Sequence, residues 1–375
     1  MKTSTVSNAC SSIDPNNVGI IGGGLAGLAT AYHLIKKKPS VKITIIDKAL
    51  PGMGGASSVA GGLLHPLTPR GKIAAWGIEG VESSKALVQN AAEFKKDVVL
   101  RDEIYRIALN DKHESVLKGA ASSHPQFCEW LDAPELEWDT SSSPVLGALR
   151  IHGSGCSVIH VPSYLQGLWL DCESRGTGER VWALEEDCTD WKERLSDFDT
   201  VVLSAGAGMF QDGVVKREMP VQLVRGQSIE LDLRNKAFEQ VRSCGKYATP
   251  LPDKHKVNIG ATQEFKSEPL DSASVKDELQ MRSYDFLCDL WDDSDVDRVT
   301  EGFRVQSTRT HRGRVPIIGS FETQIHDNAW IFTGLSSRGL LYHSLFGDML
   351  TDMILESNEN DQPVDATSLN WWVKN

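Results

Sequence analysis

Four glycines crowd into the six residues Gly22-Gly-Gly-Leu-Ala-Gly27, directly after the apolar run Val18-Gly-Ile-Ile21. Such a loop can do one kind of chemistry well, which is to cradle phosphates with backbone N–H groups. An apolar stripe at Leu25, Leu28, Ala29, Tyr32 and Ile35 then keeps helical spacing, and a second apolar run, Val41 to Ile46, closes on Asp47. The spacing predicts a strand, a glycine turn, a helix and a second strand within about thirty residues. Each piece has a task. Gly22 permits the tight turn, Gly24 lets backbone approach a pyrophosphate, and Gly27 lets the helix pack closely. The helix N-terminus, from Leu25 and Ala26 onward, offers unpaired donors and partial positive charge. Asp47 stands where a carboxylate accepts ribose hydroxyls, and its charge makes a 2′-phosphate, hence NADP, the least suitable nucleotide. A glycine loop alone would also suit an ordinary parallel sheet. The agreement of all the flanking elements favours a dinucleotide.

The fingerprint leaves NAD and FAD open. The next segment, Gly54-Gly-Ala-Ser-Ser-Val-Ala-Gly-Gly-Leu-Leu-His-Pro66, is a small-residue tract that can lie flat against a ring system. Further along stand Val201-Val-Leu-Ser-Ala-Gly-Ala-Gly208, Leu223-Val-Arg-Gly-Gln227, Gly302-Phe-Arg304, Arg314-Val-Pro-Ile-Ile-Gly319 and Gly334-Leu-Ser-Ser-Arg-Gly-Leu340. In content and order these segments resemble the D-amino-acid oxidase superfamily, which includes glycine oxidase, sarcosine oxidase and D-amino-acid dehydrogenase. Within it, the GG-LLHP and GL-SRGL readings look most like the FAD domain of the bacterial tRNA wobble-uridine modification enzyme. The resemblance runs from Val18 to Ile354, nearly the whole chain.

The resemblance implies an α/β fold, with a Rossmann-type FAD-binding domain interleaved with a second α+β substrate domain on a mostly antiparallel sheet. The FAD domain is expected over 17–85, 150–220 and 310–375, the substrate domain over 86–149 and 221–309, with a flexible polar tail at 1–16. Cofactor contacts are expected at Gly22, Gly24, Leu25, Ala26, Gly27, Asp47 and Lys48; in the tract at Ala56, Ser57, Ser58, Gly61, Gly62 and Leu63; at Ala205 and Gly206; and at Gly334, Ser336, Ser337, Arg338, Gly339 and Leu340. Relatives that tether FAD covalently carry a cysteine near the PIIG segment or a histidine in the second glycine tract. Phe303 to Gly319 holds no cysteine, and His65 lies past the glycines, so non-covalent FAD is expected.

Amine oxidation by a flavin needs a substrate carbon held against N5, a clamp for any carboxylate, and support for negative charge at the N1–C2=O edge. The glycine loop feeding a helix after Gly339 suits the last need, and Arg338 is expected to add charge there, to reach the substrate or to pair with an acid such as Asp348. Arg304 is the expected clamp, because glycine oxidase-like relatives carry their carboxylate-binding arginine in this segment; Val305 departs from their usual proline, and Arg309, Arg312 and Arg314 are competing arginines close in sequence. A guanidinium fork matches a carboxylate with two parallel hydrogen bonds. His65, Tyr342 and His343 are candidates to line the ring, and Arg225 and Gln227 are expected to serve architecture.

The 375 residues are 40% apolar and carry 39 basic against 51 acidic side chains, a net charge of −12. That balance disfavours nucleic acid as a partner unless a local basic patch compensates. Seven scattered cysteines without metal-ligand spacing read as free thiols in a reducing compartment. No secretory signal is expected, and the glycines in the uncharged run Val18 to Ile35 argue against a membrane span, so the expectation is a soluble intracellular protein. Leu87 to Phe94 and Ser115 to Leu131 read as helices, Leu223 to Leu231 and Val257 to Thr262 as strands, and Asp292 to Asp297 as a solvated loop. The expected activity is FAD-dependent oxidation of the C–N bond of a small amine or amino acid to an imine, with O2 or another acceptor reoxidising the flavin. Two alternatives stand beside it: removal of a carboxymethyl group from a modified tRNA wobble uridine, and a non-catalytic flavin-stabilised assembly factor.

Overall fold

A computed structural model of the chain describes residues 15–138, 140–141, 143–184, 192–211, 219–234, 236–265, 268–292, 294–321, 323 and 325–356. The expected polar tail lies, apart from its last two residues, outside them. The first strand, β1 (Asn17–Ile21), passes through the glycine turn into α1 (Leu25–Lys37) and then β2 (Lys42–Asp47), as the spacing predicts. The tract after Asp47 holds a one-turn helix, α2 (Gly55–Ser58), and β3 (Leu63–Leu64). There follow α3 (Gly77–Phe94), β4 (Val99–Arg101), β5 (Glu103–Ala108), α4 (Asp111–Ser123), β6 (Cys128–Asp132), β7 (Gly147–His152), β8 (Ser157–Ile159) and α5 (Val161–Ser174). The second half comprises β9 (Arg180–Leu184), β10 (Thr200–Leu203), α6 (Gly208–Gln211), β11 (Val221–Asp232), β12 (Arg242–Cys244), β13 (Lys246–Pro250), β14 (Lys256–Gly260), α7 (Ser272–Trp291), β15 (Asp295–Ser307), β16 (Ile317–Ser320), β17 (Ala329–Thr333) and α8 (Gly339–Glu356).

Two large sheets organise these elements. The first has the order β16-β17-β10-β1-β2-β9 and is parallel except at β16. Its strands are apolar on both faces, as a covered parallel sheet requires. Val18 and Ile20 face a layer of α1, α3, α5 and α8, while Ile21, Val201 and Leu203 face Leu195, Phe198 and Met209. The second sheet has the order β15-β11-β14-β13-β12-β5-β7-β6, antiparallel except between β12 and β5. Its alternation is asymmetric. Ile229, Ala248 and Ile259 point into a core closed by Val275, Leu279 and Phe286 of α7, while their neighbours point the other way, towards α2 and the small-residue tract. A small third sheet, β3-β8-β4, lies beside the tract.

Two expectations need correction. The helix at 115–131 ends at Ser123, because Pro125 disfavours helical backbone at His124, and Cys128–Asp132 instead pairs with β7. The acidic run 292–297 is loop only at its start: Asp295 opens β15, the partner of β11. The domain boundaries expected at 85/86 and 149/150 fall inside α3 and β7. Cys128, Cys156, Cys172 and Cys244 are free thiols, Cys288 is buried, and Cys10 and Cys188 lie outside the described residues. Among the described residues no helix is long and apolar enough to cross a membrane.

Candidate active site

The first wall of the site is the glycine turn. Gly22 adopts φ +97°, and a Cβ there would stand 2.4 Å from Ala205 Cα, so only glycine lets the turn nest against the end of β10. At Gly27 a Cβ would stand 1.9 Å from Gly22 O, so the close approach predicted for this glycine is between helix and turn. Ser204, which sequence reasoning passed over, clamps the turn with a hydroxyl shared between Ile21 O at 3.0 Å and Gly22 O at 2.9 Å. Asp47 accepts from Gly23 N–H at 2.6 Å and from Ala49 N–H at 2.9 Å. It therefore braces the turn, and each oxygen keeps a lone pair for a ribose hydroxyl. Lys48 beside it is exposed. Trp182 of β9 packs over Gly23, where a Cβ would lie 2.1 Å from its ring, and donates to Ala49 O at 3.0 Å.

In front of Gly24 the nearest atom to an added Cβ is Ser57 Oγ, at 3.0 Å. That hydroxyl accepts from Leu25 N–H at 3.3 Å, standing at the helix N-terminus where a phosphate oxygen would be received. The neighbouring Ser58 is turned inward and donates to Gly55 O at 2.9 Å. The N-terminus of α8 reaches the same place: a Cβ on Gly339 would be 2.9 Å from Leu25 Cδ1. The fold thus sets side by side the N-termini of α1 and α8, far apart in sequence, and the first N–H groups of each helix have no intrahelical acceptor.

The opposite wall belongs to the antiparallel sheet. Gly302 lies against Ala56 and Val59, with a Cβ position 2.8 Å from Val59 Cγ2. Gly61 lies against Tyr247, with a Cβ position 2.4 Å from its ring. Tyr247 was not singled out from sequence; it occupies the strand face that also carries Ser228, whose hydroxyl is 3.4 Å from the phenol. Arg304 shares this face two residues beyond Gly302, and its buried Nε has no hydrogen-bond partner. Burial holds the Arg304 pKa below its usual value, while two titratable groups act on it in opposite senses, Tyr247 raising it and Arg314 lowering it. Burial raises Tyr247, which stays a neutral phenol at pH 7. Val305, where relatives have proline, is an ordinary ladder residue opposite Leu223.

A second cationic cluster surrounds His65. Arg106, another residue missed in the sequence, is anchored on Thr68 O at 2.9 Å and Pro69 O at 3.0 Å. Burial, with Arg106 and Arg338 beside it, pushes the His65 pKa down to about 3. Its Nδ1 accepts from Leu67 N–H at 3.2 Å, which leaves the proton on Nε2 and makes the ring a donor, not a base. Arg338 Nη1 is buried without a partner. Its alternative partner Asp348 is occupied instead by Lys37 at 2.7 Å and His33 at 3.1 Å. The loop before α8 is tied to β15: Ser336, at φ +57°, donates its N–H to Val305 O at 3.0 Å and accepts from Ser307 N–H at 3.2 Å.

Other candidates lie elsewhere. His343 is fully buried, donates from Nδ1 to Leu340 O at 3.1 Å and accepts from Tyr164 at 2.6 Å, so it is a core group. Tyr342 packs beneath Arg338 and donates to Ala75 O at 3.0 Å. Gln227 pairs its amide with Leu270 N–H and O, both at 2.9 Å, and Arg225 stacks on Phe303 at 4.5 Å, which makes both architectural.

A nucleotide with a tricyclic ring fits these features. The α1 N-terminus stands ready for phosphates with that of α8 beside it, small residues face a strand wall that admits a flat group, and on that wall Arg304 has a buried Nε without a hydrogen-bond partner. The chain matches the FAD dependent oxidoreductase (DAO) family over residues 17–353. It is 23% identical over 359 residues to the tRNA 5-methylaminomethyl-2-thiouridine biosynthesis bifunctional protein MnmC of Thiobacillus denitrificans, covering 91% of this chain and 56% of that protein. The chain therefore spans about half the length of that curated relative. Glycine oxidase from Bacillus cereus superposes with a TM-score of 0.71 at 19% identity, covering 92% of this chain and 96% of the enzyme. Iminodiacetate oxidase from Chelativorans sp. BNC1 gives 0.71 and 19%, covering 93% and 98%. At these identities the structural likeness speaks for the fold. With the family matched across nearly all of its described length, the chain belongs to the FAD-dependent oxidoreductases of the DAO family, and its cofactor is FAD.

Proposed function

We propose that the chain oxidises the C–N bond of a small primary or secondary amine that carries a carboxylate. One observation carries this reading: the buried Nε of Arg304 has no hydrogen-bond partner, on the sheet whose face also presents the Tyr247 phenol to Gly61, and among the described residues no carboxylate is one of the groups acting on it. A guanidinium and a phenol together bind a carboxylate by charge-assisted hydrogen bonds. The glycine oxidase and iminodiacetate oxidase likenesses are in keeping with such a substrate.

In this reading FAD, held non-covalently with its phosphates at the glycine turn and the N-terminus of α1, would supply the two-electron acceptor at N5. Arg304 and Tyr247 fix the carboxylate and so the orientation of the adjacent C–H bond. The guanidiniums of Arg304, Arg106 and Arg338 disfavour an ammonium ion, so the bound amine keeps its nitrogen lone pair. The neutral amine gives up a hydride, its C–N bond becomes the C=N of an iminium ion, and water adds to that carbon to release a carbonyl compound and the amine, with one proton passing to solvent. His65 donates from Nε2 and takes no proton. Arg338, with the first N–H groups of α8, supports negative charge at the far edge of the ring. The electrons leave to O2 or to another acceptor. We keep the two-domain division as part of this proposal, the antiparallel sheet serving substrate and the parallel sheet serving cofactor.

The MnmC likeness favours a second reading, in which the amine is a carboxymethylaminomethyl group on a tRNA wobble uridine. The bond broken is the same, and a salt-dependent tRNA gel shift separates the two. The test of oxidation itself is anaerobic mixing of the yellow holoprotein with amino acids and N-methyl amines. Bleaching by carboxylated amines supports the proposal, and a flavin that no amine bleaches supports an assembly role instead.

A further inference from the structure

Beyond the carboxylate clamp runs a second line of cations. After β15 ends at Ser307 the chain turns tightly: Thr310 N–H donates to Gly313 O at 2.8 Å, Gly313 N–H returns to Thr310 O at 3.0 Å, and Arg312 N–H donates to Thr310 Oγ1 at 3.1 Å. The turn exposes Arg309, His311 and Arg312 and brings Arg314 back beneath the strand, where its guanidinium donates to Ser307 O. Ser307 is also the residue held by Ser336, so Arg314 stands between the end of the Arg304 strand and the loop before α8. Arg312 lies over the Trp76 ring at 4.8 Å, fastening the turn to the start of α3 beside Ala75, the acceptor of Tyr342.

The segment Thr308-Arg-Thr-His-Arg-Gly-Arg314 holds three arginines and a histidine and no acid, in a chain of net charge −12. The charges act in series. Arg314 bears on Arg304 and Arg309 bears on Arg314, and among the described residues no carboxylate is one of the neighbours acting on either. A carboxylate bound at Arg304 neutralises only the inner end of this line. A guanidinium has five N–H donors, and Ser307 O engages one nitrogen of Arg314.

We infer that Arg314, backed by Arg309, is the subsite for a second anionic group of the substrate, so that the amine oxidised carries a carboxylate or phosphate in addition to the carboxylate held by Arg304. This rests on the amine-oxidation reading for the identity of the substrate, but the subsite is measurable without turnover.

The experiment is calorimetric titration of the holoprotein, at a pH below about 6 so that a phosphate monoester carries one charge, with three ether or ester acids that contain no oxidisable amine: methoxyacetate with one carboxylate, oxydiacetate with two, and phosphoglycolate with a carboxylate and a phosphate. The expected result is that a dianion binds about 10- to 100-fold more tightly than methoxyacetate, the range for one added charge-assisted hydrogen bond. The preference should collapse in Arg314→Met, whose flavin spectrum and circular dichroism verify the fold. The tighter of the two dianions identifies the second group. Equal affinities for all three acids, or a preference that survives Arg314→Met, overturns the subsite while leaving amine oxidation standing. Dianion preference without bleaching by any amine does the reverse. Tighter binding of poly(U) than of either dianion, steeply weakened by salt, overturns the small-substrate subsite in favour of a polymeric anion.

Discussion

Replacing Arg304 by leucine tests the centre of the proposed reaction. Its Nε is buried without a partner, and burial already lowers its pKa, so the folded chain holds this charge at a cost. If a substrate carboxylate provides the compensation, its loss costs about 2–5 kcal/mol, or about 30- to 5000-fold in KM for a carboxylated amine. Tyr247→Phe removes one hydrogen bond to the same charged group, about 1.5–3 kcal/mol, or about 10- to 150-fold. Because both groups grip one carboxylate, the double variant should lose less than the sum of the two. Stability runs the other way. Leucine abolishes a desolvated cation, so Tm and bound flavin should hold or rise. The assay is anaerobic flavin reduction against concentration for sarcosine and for dimethylamine, which lacks the carboxylate. Arg304→Leu should penalise sarcosine and spare dimethylamine. An unchanged sarcosine KM, or a fall in Tm that accounts for the lost activity, would refute the clamp.

Three further outcomes are expected. Gly24→Val should yield colourless protein, since its Cβ already meets Ser57 Oγ at 3.0 Å and its branches fill the space before the α1 N-terminus; stoichiometric flavin absorbance would contradict the phosphate assignment. Burial pushes His33 down to about 4 and His343 to about 3, so between these values and the ordinary histidine pKa near 6.5 the unfolded chain binds more protons and stability falls as pH falls, by up to roughly 1.4 kcal/mol per pH unit for each. Denaturant midpoints at pH 7 and pH 5 check this, and a flat profile would count against both assignments. Ser336→Gly relieves a left-handed backbone but loses the Ser307 hydrogen bond, so unfolding free energy should move by less than about 1 kcal/mol while KM for carboxylated amines rises; an unmoved KM would show that the loop does not position β15.

The cofactor half of the fold was legible in sequence because its requirements are local. Gly22, Gly27 and Asp47 act within one strand-turn-helix-strand unit, and the periods of β1, α1 and β2 declare themselves in the residues between. The helix from Leu340 was legible for the same reason. What failed at 115–131 was the weight given to apolar spacing across Pro125, where backbone sterics decide. Tyr247 and Arg106 were not legible at all. Each sits on a short strand whose neighbours carry no signal, and each gains meaning only when the long connection from β5 to β12 closes one sheet. His343 misled for the converse reason: its adjacency to the glycine-arginine loop is real along the chain, but helical rotation turns it into the core, towards Tyr164.

The site departs from the chain's overall charge in a way that has chemical consequences. A net charge of −12 lowers the cost of setting Arg314 near Arg304 and Arg106 near Arg338, because the surrounding field favours cations. Burial, with Arg106 and Arg338 adding to it, holds the His65 pKa down to about 3, and the same charges would act on an amine placed beside them. A site built for an ammonium substrate would place a carboxylate where these guanidiniums stand. In the proposed reaction the same charges that would recruit an acid group would also favour the neutral form of the nitrogen next to it. Anchoring and activation are therefore one electrostatic device, and weakening it at Arg304 should shift the pH at which half of the bound amine is reactive as well as the affinity for its carboxylate.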